Sequence, residues 1–285
     1  MSLQWFPGHM AKAKRQIAEV LPKIDLVIEV LDARLPISSA NPVLKRLRRG
    51  KPCLKILNKS DLADAAVTRQ WLDYFHRAEN VRALPLEATR RASAAPIRDL
   101  CRQMVPQRGK PGKTLRVMVA GIPNVGKSTL INTLAGRRIA RVGDKPAITT
   151  CPQQVDLRNG IQLADTPGLL WPNINSQTSA YRLAASGAIG DAAIDAVAVA
   201  SFAAEYLLAH YSQSVAARYR MASLPATPAE LLAEIGRQRG CLAAGGTIDV
   251  QRAAAILLRE LRTGLIGRIS FESPSDFLEE PTDDR

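Results

Sequence analysis

Gly121-Ile-Pro-Asn-Val-Gly126-Lys127-Ser128 is the segment of this 285-residue chain with the plainest chemical meaning. It has the spacing G-x-x-x-x-G-K-[ST], in which glycines at both ends let the backbone curl with its N–H groups aimed inward at phosphate oxygens. Lys127 is placed to reach β- and γ-phosphates, and Ser128 to offer its hydroxyl to Mg²⁺. Asn124, Val125 and Gly126 before the lysine, and Thr129 after Ser128, complete the expected cradle. An ordinary glycine-rich turn would share the glycines but has no need of Lys127 and Ser128 together. Further on, Asp165-Thr-Pro-Gly168 offers a carboxylate for the magnesium shell and a Gly168 N–H that can sense the γ-phosphate. Taken alone, D-x-x-G is also a common Asx turn. Between the two, Pro146-Ala-Ile-Thr149-Thr150 is the natural switch segment. Thr149 is the candidate hydroxyl that closes over Mg²⁺ and γ-phosphate; Thr150 is the next choice, and a plain loop threonine the other reading.

Asn58-Lys59-Ser60-Asp61 points to the base. Guanine presents N1–H and N2–H₂ donors, and one carboxylate, that of Asp61, can accept both. Adenine has neither donor there, so the carboxylate would be desolvated without a partner, which gives strong discrimination. Asn58 would tie the loop to the base edge, and the Lys59 stem would cover the base plane. An N-capped turn is the alternative for a bare N-K-x-D tetrapeptide. Leu86-Glu87-Ala88 would then be the loop whose backbone meets guanine O6.

These side chains need elements to aim them. Leu26–Leu31, Cys53–Leu57, Leu115–Ala120 and Gln162–Ala164 read as short apolar strands, and each of the last three runs into one of the motifs above. Helices are expected at Met10–Val20, which is basic and amphipathic, and at Pro42–Arg49, Thr68–Ala78, Pro96–Met104 and from Ser128 onward. The alternation predicts a mostly parallel sheet with helices on both faces. Beyond Pro172 the chain turns rich in Ala, Leu and Arg, with helical spacing over 180–189, 192–211, 228–239 and 249–262, and a strand candidate only at Arg268–Phe271. This predicts an α/β domain over 1–175 with a basic N-terminal arm, then an all-α domain over 176–285 with an acidic tail.

The order of the motifs is unusual. In an ordinary small GTPase the phosphate loop comes first and N-K-x-D late; here N-K-x-D precedes it. The same sheet can be built with the chain cut elsewhere, and the turn-rich basic stretch Pro106–Lys113 would be the joint. The fold expected is therefore a circularly permuted P-loop GTPase domain that binds GTP or GDP. The segment after Asp165-Thr-Pro-Gly168 then leads straight into the helical domain, so residues 169–176 would report nucleotide state to it.

Trp5-Phe-Pro-Gly-His-Met10, Asp32-Ala-Arg34, Asn58–Asp61, Gly121–Thr129 and Asp165-Thr-Pro-Gly-Leu-Leu-Trp-Pro172, in this order, resemble the YlqF/RbgA family of circularly permuted ribosome-assembly GTPases. The resemblance runs on through Arg239-Gly-Cys-Leu242 and Gly267-Arg-Ile-Ser-Phe271, nearly the whole chain. It implies GTP hydrolysis coupled to late maturation of the large (50S) ribosomal subunit, contact with rRNA, and a helical domain that helps dock there. Leu169 stands where many GTPases carry a water-orienting glutamine, and leucine cannot hydrogen-bond water. The resemblance assigns that work to His9; on the residues alone an exposed turn histidine is equally open. It also gives Asn124 a part in holding K⁺ beside the phosphates, a positive charge at developing transition-state oxygens. Ala147, Glu87 and Arg90-Arg91 depart from the family's pattern in the switch and in the O6 loop.

Composition narrows the partners. The formal net charge is +13 and the pI about 10. The excess lies in residues 1–175, at roughly +16, while 176–285 come to about −3. Such a balance favours an anionic partner, most often nucleic acid, over the alternative of a generally basic solvated surface. Cys53, Cys101, Cys151 and Cys241 form no CxxC pair, which suggests neither a disulfide framework nor a zinc site and fits a reducing cytosol. The N-terminus lacks the apolar core of a signal peptide, and Asp195 and Glu205 interrupt the most apolar stretch, Ala192–Tyr211. A cytoplasmic protein off the membrane, monomeric away from the ribosome, is expected. Three functions remain in play: a hydrolysis-timed switch on a pre-ribosomal particle, a nucleotide-gated RNA-binding module whose hydrolysis is incidental, and a GTPase serving another cargo such as a metal. The scattered cysteines and three histidines speak against the last.

Overall fold

The computed structural model describes residues 15, 17–110, 112–139, 153–157, 160–165, 176–190 and 195–277. It divides into two compact units, Met1–Asn173 with Glu272–Arg285, and Ile174–Phe271.

The first unit is built on six strands: β1 (Leu26–Asp32), β2 (Cys53–Asn58), β3 (Val81–Leu86), β4 (Leu115–Gly121), β5 (Gln153–Asp156) and β6 (Ile161–Asp165). Their order across the sheet is β3-β2-β1-β4-β6-β5. All neighbours are parallel except β5 and β6. Every residue of β1 is buried, as a central strand covered on both faces must be. On one face, Val27, Leu31, Cys53 and Leu57 lie under Leu44 of α1 (Pro42–Leu47) and under Trp71 and Phe75 of α2 (Ala65–His76). The other face carries Leu26, Ile28, Val30, Leu54 and Ile56, also buried, and α3 (Ala95–Met104) and α4 (Lys127–Ala135) contribute buried Ile97, Cys101, Leu130, Ile131 and Leu134.

Caps explain where several helices start. Asn41 accepts from the Leu44 N–H at 2.5 Å ahead of Pro42. Asp64 accepts from the N–H groups of Ala66 and Val67, so α2 opens earlier than apolar spacing alone predicts. Strand β3 was not foreseen: Arg82 and Pro85 interrupt its apolar run. Both are exposed, and β3 is an edge strand, where a proline costs no interior ladder bond.

The second unit is helical: α5 (Gln177–Ala185), α6 (Ala196–His210), α7 (Ser212–Tyr219), α8 (Pro228–Gln238) and α9 (Val250–Arg262). Asp195, read from sequence as a break in an apolar run, is the N-cap of α6, accepting from the Val197 N–H at 2.9 Å. Thr227 and Glu230 form a capping box at the start of α8. Within the bundle Glu260 is buried between Arg218 at 2.8 Å and Arg239 at 3.0 Å. The strand expected at Arg268–Phe271 does not form. The Ser270 backbone is satisfied instead by tyrosine hydroxyls: its N–H donates to Tyr211 Oη at 3.1 Å, and its carbonyl accepts from Tyr206 at 3.0 Å and Tyr211 at 3.2 Å.

The sequence reading carried the helical domain to the end of the chain, whereas the contacts return Glu272 onward to the first unit. Glu272 is buried, accepts from the Ile37 N–H at 2.8 Å and from the Ser38 N–H and hydroxyl, and offers its own carbonyl to Trp71 Nε1 at 3.0 Å. Phe277 follows it onto the Trp71 ring, 6.0 Å between centroids. One carboxylate thus fixes the loop that follows β1. No helix of the described residues is long and apolar enough to cross a membrane.

Candidate functional site

In an open parallel sheet, ligands bind beyond the carboxyl ends of the strands, where connections depart to opposite sides. Here β2 ends at Asn58 and β4 at Gly121, on opposite sides of β1, and both motifs sit at those ends. They line one cleft of about 340 Å³, together with the loop after β3. Asn58, Lys59 and Asp61 form one part of its wall, Glu87, Ala88 and Thr89 another, and Asn124, Gly126, Lys127, Ser128 and Thr129 the rest. Ser60, Leu86 and Val125 support this wall without lining it: the Ser60 N–H donates to the Leu86 carbonyl at 3.1 Å, and Leu86 and Val125 are buried.

Asn58 joins the three segments. Its Nδ2 donates to the Val125 carbonyl at 2.7 Å, and its Oδ1 accepts from the Ala88 N–H at 2.9 Å. Thr133 of α4 adds a bond from its hydroxyl to the Ala88 carbonyl at 2.8 Å. A purine O6 contact through the Ala88 N–H would therefore have to share the bond to Asn58. Glu87, one of the departures seen in the sequence, accepts from the Thr89 hydroxyl at 3.2 Å at the rim of the cleft.

Two glycines permit this closeness. A Cβ on Gly126, whose φ is +101°, would stand 2.2 Å from Asn58 Nδ2. One on Gly121 would stand 2.5 Å from the Val30 carbonyl oxygen of β1. Asn124 takes the left-handed conformation at φ 56°, a turn that orients the peptide groups of the loop. Lys127 opens α4 and is 7% exposed, with its Nζ donating to the Ile122 carbonyl at 2.7 Å across the loop. Ser128 follows in the first turn, so helix N-terminal N–H groups, an ammonium and a hydroxyl converge, a set suited to phosphate and a hard cation.

The Asp32-Ala-Arg34 segment supports Lys59. Asp32 ends β1 in register with Asn58. Arg34 grips its carboxylate with two bonds, Nε to Oδ1 at 2.9 Å and Nη2 to Oδ2 at 2.8 Å, and both side chains are 1% exposed. Lys59 Nζ lies 3.1 Å from Asp32 Oδ2, which pins a lysine whose own φ is 59°. Burial alone would raise the Asp32 carboxyl; the Arg34 and Lys59 cations outweigh it and hold it well below the usual carboxylate range. Arg34 also feels the charge of Asp61. Asp32→Ala would take the two-bond carboxylate partner from the buried Arg34 and let Lys59 swing off the cleft. A loss of about 3 kcal/mol in unfolding free energy is expected from urea titration, with weaker GTP binding in a nucleotide titration. Because the folded-state value is lowered, this contribution is full above the ordinary aspartate range and disappears as pH falls through the lower folded value. Equal stability of the two proteins at neutral pH would refute it.

Of the remaining sequence candidates, Asp165 is placed by its backbone at the end of β6, in register with Val119 of β4. His9, Thr149, Thr150, Gly168 and Leu169 lie outside the described residues. Cys53 and Cys101 are free and buried, which pushes their thiols up to about 11 and about 12, so neither is poised as a nucleophile at neutral pH.

The geometry has counterparts among known proteins. Residues 116–215 match the family model described as 50S ribosome-binding GTPase, so the match opens on the strand before the phosphate loop and leaves Asn58–Asp61 upstream of it. The chain is 42% identical over 290 residues to Ribosome biogenesis GTPase A of Bacillus cereus, covering 99% of this chain and 98% of that one. Among solved structures, a GDP-bound YlqF has a TM-score of 0.67 at 29% identity, covering 92% of this chain and 100% of that one. A GNP-bound YlqF from T. maritima has a TM-score of 0.65, also at 29% identity, over 92% of this chain and 98% of its own.

Proposed function

We propose, from the premise that the chain belongs to the YlqF/RbgA family of ribosome biogenesis GTPases, that it assists late assembly of the large ribosomal subunit as a hydrolysis-timed switch. It is a GTPase with a circularly permuted P-loop domain, and guanine nucleotide is its ligand. In this reading the GTP form binds a 50S precursor through rRNA, and hydrolysis releases it. The protein works in the cytoplasm, where the particle is, and as a monomer off it.

The observation that carries the reading is the single cleft in which Asp61 and Lys127 stand together, joined by Asn58. One nucleotide laid along it would put its base against Asp61 and its phosphates in the loop before α4. Asn58 organises the two ends, Lys59 covers the base plane, and the loop of Leu86, Glu87 and Ala88 approaches O6. Asn124 to Thr129 cradle the phosphates. Mg²⁺ would take Ser128, Asp165 and the switch hydroxyl of Thr149, while the Gly168 N–H senses the γ-phosphate. Asn124 would hold K⁺. Each of these is a group of the right type: hydroxyl and carboxylate oxygens for Mg²⁺, an amide oxygen for K⁺, and cationic and N–H donors for phosphate. Nucleotide state is then reported to the helical unit through residues 169–176.

Cosedimentation with large ribosomal subunits tests the switch. More protein is expected to pellet with a non-hydrolysable GTP analogue than with GDP, and GTP turnover is expected to rise when subunits are added. Equal pelleting in both nucleotide states would remove the switch. Pelleting without any change in turnover would favour an RNA-binding module in which hydrolysis is incidental.

A further inference from the structure

The C-terminal end of α4 gathers an unusual number of arginines. The helix stops at Ala135, Gly136 turns the chain in the left-handed conformation at φ 68°, and Arg137 and Arg138 follow, both exposed. Arg91 Nη2 donates to the Gly136 carbonyl at 3.2 Å, and Arg98 Nη2 donates to the Leu134 carbonyl. Arg90, exposed, precedes Arg91. Two guanidinium groups from a segment far away in sequence thus reach this helix end, and three exposed arginines, Arg90, Arg137 and Arg138, sit beside them or beside the helix end along the chain.

Capping accounts for part of this. Cations at a helix C-terminus satisfy its last carbonyls and suit its dipole, and Arg91 and Arg98 do both. Among the described residues, Arg90, Arg137 and Arg138 make no such bond. Among the described residues, no carboxylate forms an ion pair with any of the five. Two acids close by in sequence are otherwise engaged: Asp99 pairs with Arg102 at 3.1 Å, and Glu87 accepts from Thr89. Like charges held together this way oppose folding, and the cost is recovered when a polyanion neutralises them. Arginine suits phosphate in particular, because its planar fork makes two parallel bonds to two oxygens.

We infer that the surface formed by Arg90, Arg91, Arg98, Arg137 and Arg138 is a docking face for the phosphodiester backbone of RNA. The inference rests on the proposed work on a ribosomal particle and names where on the first unit the contact is made. It also has a location that matters: Thr89 lines the nucleotide cleft and the arginine run begins at the next residue, while Thr133 of α4 bonds to Ala88 in the cleft wall. RNA on this face would lie next to the loop proposed to meet the base.

The test uses the full chain in its GDP form and protein-free large-subunit rRNA as the probe. Binding constants are measured for the parent, for Arg137→Ala/Arg138→Ala, for Arg137→Lys/Arg138→Lys, and for Arg252→Ala/Arg259→Ala, which removes two exposed arginines from α9 in the other unit. Neutralising Arg137 and Arg138 is expected to weaken binding about 10-fold at moderate salt and to reduce the slope of log K against log salt by about 1.5. The lysine pair should keep most of the slope, and the α9 pair and GDP affinity should be unchanged. If the parent binds RNA and the Arg137/Arg138 variant matches it, or if the α9 variant loses as much, the assigned face is wrong while RNA binding stands. If the parent does not bind RNA, the underlying reading fails as well. Stronger dependence of binding on these arginines with phosphatidylserine vesicles than with RNA would overturn the choice of partner.

Discussion

Asp61→Asn is expected to lower GTP affinity about 100- to 1,000-fold and to turn the preference toward xanthosine triphosphate. In the proposed role the Asp61 carboxylate accepts from guanine N1–H and N2–H₂, and bonds to an ionised acceptor are each worth about 1.5–3 kcal/mol. An asparagine amide offers one oxygen and one NH₂. Its oxygen can still accept from N1–H, but its NH₂ would face the N2–H₂ of guanine, donor against donor. Xanthine carries a carbonyl at that position, so the amide donor meets an acceptor and the pairing is restored. The side chain is exposed at the mouth of the cleft and isosteric with its replacement, so the fold is not at stake. Competition between labelled GDP and a series of triphosphates would read the change directly. Retained preference for GTP over the xanthine nucleotide in the variant would remove Asp61 from the base.

Much of this cleft was legible in the amino-acid sequence, and what was not has identifiable causes. Motifs such as Gly121–Ser128 and Asn58–Asp61 are visible because their chemistry tolerates few substitutes: Gly126 has no room for a Cβ beside Asn58, and Gly121 none beside Val30. Central strands β1, β2 and β4 announce themselves as largely apolar runs, since burial on both faces admits a polar residue only where it is paired, as Glu29 of β1 is with Lys55 of β2. Edges are harder. β3 carries Arg82 and Pro85 on exposed positions and does not look like a strand until its neighbour is known. The Asp32–Arg34 clamp on Lys59 could be quoted as a motif but not understood, because its meaning depends on β1 and β2 lying side by side in register. Glu272 was hidden for the same reason. Nothing in Phe-Glu-Ser-Pro says that the glutamate will be buried against the N–H groups of Ile37 and Ser38, more than 200 residues away. The Ser270 backbone shows the reverse error: an apolar stretch suited to a strand is satisfied by two tyrosine hydroxyls instead.

His9→Ala is expected to cut GTP turnover by about 100- to 10,000-fold, the range for removing a positioned acid–base group, while leaving GTP affinity nearly intact. The reason begins with Leu169. At the position after Asp165-Thr-Pro-Gly168 a glutamine could hold the attacking water, but a leucine side chain has no donor or acceptor. Some other group must fix that water in line with the γ-phosphate. His9, within Trp5-Phe-Pro-Gly-His-Met10, is the proposed candidate, its imidazole able to accept from water with one nitrogen. A group that acts only on the attacking water contributes to the transition state and not to the bound nucleotide, so its loss lowers turnover without weakening binding. Lys127→Ala provides the contrast, since an ammonium on the β- and γ-phosphates holds ground and transition states alike and should weaken both. Single-turnover hydrolysis and equilibrium binding, measured on the same preparations with and without ribosomal subunits, separate the two patterns. Unchanged turnover in the His9 variant would show that another residue orients the water, and a matching loss of affinity would move His9 from chemistry to binding.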